Sequence, residues 1–381
     1  MTDIDRLDDD AVALLRALSG AHGILASHSV TANYHAVFAR DAVMAGVAGL
    51  LLGDDVITGG LVRTLEQLRT LQGAEGQIAS NFAMRPDASP QVSFGTLAPR
   101  IDSATWYLVG VALAARAGAI DAADYRDSVR SVVHVLNALE YNGRHLIYVP
   151  TGGNWADEYI YDGYILYDQV LRAWGLQLLS ITYREPAWLE KSRRIAETIS
   201  GRFFSSDTQA AEHPIAAYSP VTRHAMFDLA ACALLAVSGI APQRARQALA
   251  WIDQAFLQQG ALPPAFHPVI AEGDPDWPAL RRYHLHEFRN LPYEYHNGGI
   301  WPIWLGWLAL GLSQAGHADH LSRLREITRS ALAALDCFNF EEYLHGRTGA
   351  AGGTPGMAYT ATGLVFLRLA GTDADRTLLA P

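Results

Sequence analysis

The chain has 381 residues, half of them hydrophobic and 18% charged, with a formal net charge of −10. That balance describes a globular protein of one large or two ordinary domains. An acidic excess without clustered Lys or Arg excludes nucleic-acid and anionic-membrane partners, whose phosphates demand basic side chains.

The N-terminus, "MTDIDRLDDD", lacks the basic-then-apolar pattern of a leader. No apolar stretch, "AVMAGVAGLLLG" included, reaches membrane-spanning length. The expectation is therefore a soluble, cytoplasmic chain, with homo-oligomerisation left open. Apolar residues recur at helical spacing over 8–19, 37–52, 57–72, 102–116, 122–140, 163–181, 186–201, 223–238, 241–257, 299–314, 317–335 and 357–370, about twelve helices. Strand signals are weak, in 145–150 and 213–219. No Pro- or Ser-rich linker divides 1–381, so a single domain is expected. Cys232 and Cys337 lie in apolar helical contexts and read as two buried thiols.

Connections alternate in character. Short ones join helices into hairpins, while long ones (73–101, 141–162, 202–222, 258–298 and 336–356) carry Gly, Trp, Tyr and carboxylates. Loops that long inside a compact domain are usually functional. Helical hairpins with elaborate loops on one side predict an all-α (α/α)6 toroid, whose inner ring surrounds a funnel.

Five stretches combine polarity with aromatic rings. "YHAVFARDAVMAG" places Arg40 and Asp41 at a helix start, where a carboxylate suits the dipole and a charged pair can also grip hydroxyls. "APRIDSATWYLVG" offers Asp102 or Ser103 as an N-cap, with rings one turn later. "GGNWADEYIYDGYILYDQ" crowds Trp155, Asp157, Glu158 and Asp162 among tyrosines. Like charges and rings there should raise one carboxyl and favour a protonated acid. "YEYHNGGIWPIW" (293–304) brings His296, Asn297 and Trp301 beside two glycines. "FNFEEYLHGRTG" sets Glu341 and Glu342 among rings. Two carboxylate sites in separate ring-rimmed loops suit glycoside hydrolysis, in which one carboxylic acid protonates the leaving oxygen and a carboxylate opposite activates water or attacks.

Other chemistries lack their signatures. There is no phosphate-cradling glycine loop, no HExxH or paired CxxC, and no GxSxG elbow. His284 and His286 in "RRYHLHEF" read as loop residues rather than metal ligands. No metal or organic cofactor is expected.

"YHNGGIWPIWLGWL" resembles the YHNGG-x-WP stretch of the neutral/alkaline invertases and is similar to the YHxGxxWPW stretch of glycogen-debranching amylo-α-1,6-glucosidases. "ARDAVMAGVAGLLLG", "RIDSATWYLVG", "NWADEYIYDGYILYDQVLRAW", "FDLAACALLAVSGIA" and "FEEYLHGRTG" resemble further motifs of these families, in the same order, from about residue 34 to 365. The resemblance implies an (α/α)6 barrel and inverting hydrolysis of α-glucosides. It places the general acid on Asp157 and the general base on Glu342. It further implies that Arg40, Asp41, Asp102, His296 and Asn297 shape the subsite for the non-reducing glucose, with Trp155 and Trp301 walling it. Where the invertases carry two arginines after the acid, this chain has Glu158 and Tyr159, which points away from sucrose towards another small α-glucoside. Two alternatives stand beside this reading. One is a sugar epimerase or isomerase on the same toroid using His35, His224, His284 or His296; the other is a carbohydrate-binding protein without catalysis.

Overall fold

The computed structural model describes residues 4–30, 34–95, 98–140, 144–207, 210–282 and 287–380; His284 and His286 lie outside them. Fourteen α-helices account for most of the regular structure among the described residues. In chain order they are α1 (Ile4–Leu18), α2 (Ala39–Leu52), α3 (Asp55–Thr70), α4 (Asp102–Arg116), α5 (Arg126–Ala138), α6 (Leu166–Tyr183) and α7 (Pro186–Arg202). There follow α8 (Leu229–Ser238), α9 (Pro242–Ala255), the one-turn α10 (Trp277–Leu280), α11 (Pro302–Gln314), α12 (Ala318–Ala333), α13 (Ala358–Leu369) and the short α14 (Asp373–Leu378).

Six of these helices close a ring. Packing runs α2 to α4, α4 to α6, α6 to α8, α8 to α11, α11 to α13, and α13 back to α2. Their sequences explain their place: every residue of α8, "LAACALLAVS", is buried, and α4 is buried from Asp102 to Ala114. A helix apolar around its whole circumference has to be covered on all sides. The outer helices are amphipathic; α7 buries only Ser192, Ile195 and Ile199. Outer α3, α5, α7, α9 and α12 each pack on the inner helix that precedes them in the chain.

The sixth outer position is filled differently. It belongs to α1, which packs on α13 at the other end of the sequence. Leu7, Ala11, Leu15 and Leu18 of α1 are buried at helical spacing. Arg16 reaches from α1 to Asp54 at 2.6 Å, and the same carboxylate caps α3 through the Val56 and Ile57 N–H groups.

Below the funnel the axis is plugged by indoles. Trp106 of α4, Trp174 of α6 and Trp307 of α11 lie 5.5–6.5 Å apart by ring centroid, and Phe366 of α13 sits 4.7 Å from Trp307. The interior is thus a packed floor and not a channel.

Short strands modify the expected elements. Val37–Phe38, Tyr164–Ile165 and Phe227–Asp228 immediately precede α2, α6 and α8, so those helices begin later than apolar periodicity alone predicts. The segment 213–219 contributes Ala217–Tyr218 to a three-stranded sheet with Tyr164–Ile165 and Arg223–His224. The segment 145–150 makes only isolated bridges at Ile147 and Val149. A hairpin of Asn81–Met84 with Pro90–Ser93, unanticipated within the 73–101 loop, extends the strand at Val37–Phe38. Cys232 is buried as expected; Cys337 is exposed, because it lies past the end of α12 where no helix covers it. No helix among the described residues is long and apolar enough to cross a membrane.

Candidate active site

The loops between hairpins meet over a cavity of about 930 Å³, lined among others by Tyr34, Arg40, Arg100, Asp102, Asp157 and Arg289. Its deepest charged group is an ionic cage. Arg40 donates from Nε to Asp41 at 3.0 Å and from Nη1 to Asp102 at 3.0 Å, and its guanidinium lies over the Tyr359 ring. Asp102 does not cap α4, whose N-cap residue Ile101 makes no side-chain bond; its carboxylate is turned to Arg40 and the Tyr167 hydroxyl instead. Tyr167 in turn accepts from Trp106 of the floor, so cage and plug are one packed unit. Burial outweighs the Arg40 contact and lifts Asp41 above the usual carboxylate range.

Asp157 lies on the long loop between α5 and α6. Asn154 anchors this loop, donating to Asp168 of α6 at 2.9 Å and accepting the Ala156 N–H at 3.1 Å. Arg100, which sequence reasoning missed, holds the loop from the other side. Its Nη1 donates to the carbonyls of Gly152 and Asn154, and its Nη2 pairs with Asp157 Oδ2 at 2.5 Å. This contact reverses one expectation. Burial works to raise Asp157, but the Arg100 guanidinium, supported by Arg40, overrides it and holds the carboxyl below its ordinary range. The neighbouring Glu158 also lines the cavity, forked by Arg289 from another loop, and its carbonyl accepts from Asn290 at 2.9 Å.

Glu342 sits almost fully buried beside the hairpin of Tyr343–Leu344 and Ala351–Gly352. Both its oxygens are engaged: Oε1 accepts from the Tyr34 hydroxyl at 2.6 Å and Oε2 from the Thr354 N–H at 2.8 Å. Burial nonetheless pushes its carboxyl up, and Asp157 adds to that push through space. The two carboxyls therefore face a common field while their hydrogen bonds go elsewhere. Gly353, at φ 83°, makes room for Glu342; a Cβ there would overlap the Oε2 oxygen. Gly353→Ala is expected to displace that carboxylate and lower kcat about tenfold or more with a smaller change in KM, measured by steady-state kinetics.

The 293–304 stretch behaves differently from expectation. Its rings stack on one another more than they line the cavity, because aromatic pairs bury large area at good geometry. Trp301 stacks on His296 with centroids 5.6 Å apart, and Trp155 stacks on Phe266 at 5.7 Å; both indoles are only 4% exposed. Tyr295 does line the cavity, with Arg289 over its ring at 4.3 Å. His296 lies between Tyr295, Trp155 and Trp301, and burial drives its pKa down to about 3, so it is neutral there. Neither of its ring nitrogens has a hydrogen-bond partner among the described residues. Asn297 ties loops together: its amide donates to the carbonyls of Ile270 and Asn290 and accepts the Ile270 N–H. The adjoining Gly298–Gly299 pair is needed because a Cβ on Gly299 would overlap the Tyr295 carbonyl. Tyr293 and Tyr295 themselves adopt φ of 71° and 45°, a strained region for such side chains that clusters at functional loops.

Arg40, Asp102 and Asp157 thus line one cavity, Asp41 and Glu342 stand behind its wall through Arg40 and Tyr34, and His296, Trp155, Trp301 and Asn297 form its supports. No protein-family model matches the sequence, and no curated protein matches it. Solved structures do share its fold. A GH63 mannosylglycerate hydrolase from Thermus thermophilus, in complex with Tris, superposes with a TM-score of 0.67 at 14% identity, over 94% of this chain and 99% of that one. A glycosidase variant aligns at 0.67 with 15% identity over 99% and 98% of the two chains. A rhamnosidase from Klebsiella oxytoca with rhamnose bound aligns at 0.67 with 10% identity, over 96% of this chain and 63% of that one. At such identities the likeness establishes the architecture: the chain has the (α/α)6 barrel fold of these glycosidases.

Proposed function

We propose that this protein is an inverting, exo-acting glycoside hydrolase of a small α-glucoside. The observation that carries the reading is that Asp157 lines a cavity whose wall residue Tyr34 is bonded to Glu342, a carboxylate from a loop far away in the chain, beside the Arg40–Asp41–Asp102 cage. Neighbours of the same fold act on glycosides, and the mannosylglycerate hydrolase has been solved with glucose and the rhamnosidase with rhamnose. The cage would bind the hydroxyls of the terminal sugar, since paired charges present fixed donors and acceptors at its edge. Asp157 would protonate the glycosidic oxygen. Glu342, whose two oxygens accept hydrogen bonds as an ionised carboxylate does, would draw a proton from water on the far face. The reaction so written requires no cofactor.

Proton NMR of a digest of an α-glucoside whose leaving group is not itself glucose, such as glucosylglycerol, is expected to show β-glucose first. Release of α-glucose as the first product would contradict inversion. The epimerase alternative asks for imidazoles facing each other across the funnel. Here His35 lies at the exposed rim, His296 is enclosed by rings, and His224 belongs to a hairpin before α8. Incubation with free hexoses tests that alternative directly.

A further inference from the structure

Resting on the hydrolase reading, we propose that the leaving group of the substrate is uncharged, a polyol or sugar, and that the site discriminates against a carboxylate-bearing aglycone. The argument is a charge inventory. Among the described residues lining the cavity the cations are Arg40, Arg100 and Arg289. Each is already committed: Arg40 to Asp41 and Asp102, Arg100 to Asp157 and two carbonyls, Arg289 to Glu158 and the Tyr295 ring. Against these three guanidiniums stand six carboxylates, Asp41, Asp102, Asp157, Glu158, Glu287 and Glu342, at or directly behind the wall. The chain holds a single lysine, Lys191, and that ammonium pairs with Glu140. The segments outside the described residues contain no Lys or Arg.

With the terminal sugar on the Arg40 cage, the outer cavity receives the aglycone. Its wall there is the Asn81–Met84/Pro90–Ser93 hairpin, which presents Asn81, Gln91 and Ser93, together with exposed Val30 and Glu287. Amide and hydroxyl groups match hydroxyls, and Val30 matches a C–H face. An incoming carboxylate would meet Glu287 and Glu158 with no unpaired cation to receive it, and like charges brought together in a binding site are strongly disfavoured. A mannosylglycerate hydrolase, by contrast, takes a substrate whose aglycone is an acid.

The test uses two probes of nearly equal shape, 2-O-α-glucosylglycerol and 2-O-α-glucosylglycerate, at pH 7 and low salt. Affinity by calorimetry and kcat/KM are both expected to favour the glycerol compound by about tenfold or more, with the gap narrowing in about 0.5 M salt. Equal or tighter binding of the glycerate, or binding of neither, overturns the inference. Tighter binding of the glycerol compound without hydrolysis supports it and counts only against the hydrolase reading. In Glu158→Gln, which frees Arg289, glycerate affinity is expected to rise relative to glycerol; no change would remove Glu158 from its excluding role. The parent comparison stands even where that variant folds poorly.

Discussion

Asp157→Asn and Glu342→Gln are each expected to lower kcat by about 10²–10⁴-fold while sugar affinity and the thermal unfolding midpoint stay near those of the parent protein. Both replacements keep shape and remove the ability to exchange a proton, together with the charge facing Arg100 in one case and one of two acceptor oxygens in the other. The two should part company on α-glucosyl fluoride. Fluoride departs without protonation, so an enzyme lacking its acid still turns that substrate over, whereas one lacking its base does not. Asp157→Asn is therefore expected to recover most of its rate on the fluoride and Glu342→Gln to recover none. Recovery in Glu342→Gln alone would exchange the two roles. Turnover unaffected by either change would place the chemistry on other residues, and sugar binding without turnover in the parent would leave a binding protein.

Arg100→Gln is expected to move the acid limb of the kcat/KM profile to higher pH. A general acid works only below its pKa, and Arg100 holds that of Asp157 down. Below that pKa both carboxyls are protonated and activity is lost, so Asp157 sets the acid limb. Glu342, raised by burial, is the last to ionise; above its pKa both carboxyls are charged, so it sets the alkaline limb. Because the carboxyls influence one another, the limbs belong to the pair. With the acid lowered and the base raised, the working form, Asp157 protonated and Glu342 ionised, is a minority in the empty site. Removing the guanidinium enlarges that minority. Arg100 also secures two loop carbonyls, so an overall loss of rate accompanies the shift. The position of the limb, measured from about pH 3.5 to 8.5, is the informative quantity, and an unmoved limb would disconnect Arg100 from the acid.

Why some of this was legible in the sequence and some was not has a physical explanation. The inner helices announce themselves because burial on all sides leaves no polar face, as in α8 and α11. Their starts were blurred because Val37–Phe38 and Phe227–Asp228 run straight into the helices they precede, yet pair as strands. The hairpin at Asn81–Met84 left only the "RPDAS" turn as a trace. Arg40, Asp41, Asp102, Asp157 and Glu342 stand out by being charged inside apolar or aromatic stretches. Arg100, Arg289 and Tyr34 do not, since what matters about them is a partner tens or hundreds of residues away. The ionisation of Asp157 was misjudged for that reason. Local crowding suggested a raised carboxyl, and the deciding charge came from another loop.

The ring is sealed by α1 lying against α13, segments from opposite ends of the sequence. Its wall therefore has a seam. Trimming α1 would strip the outer cover from an inner helix, as pulling one stave loosens a cask. A closure made by such distant partners has to await the whole chain, which places it late in folding. Joining the two ends by a linker and reopening the chain at the short turn between α8 and α9 would move that seam across the wall from Glu342, and hydrolysis should survive the change.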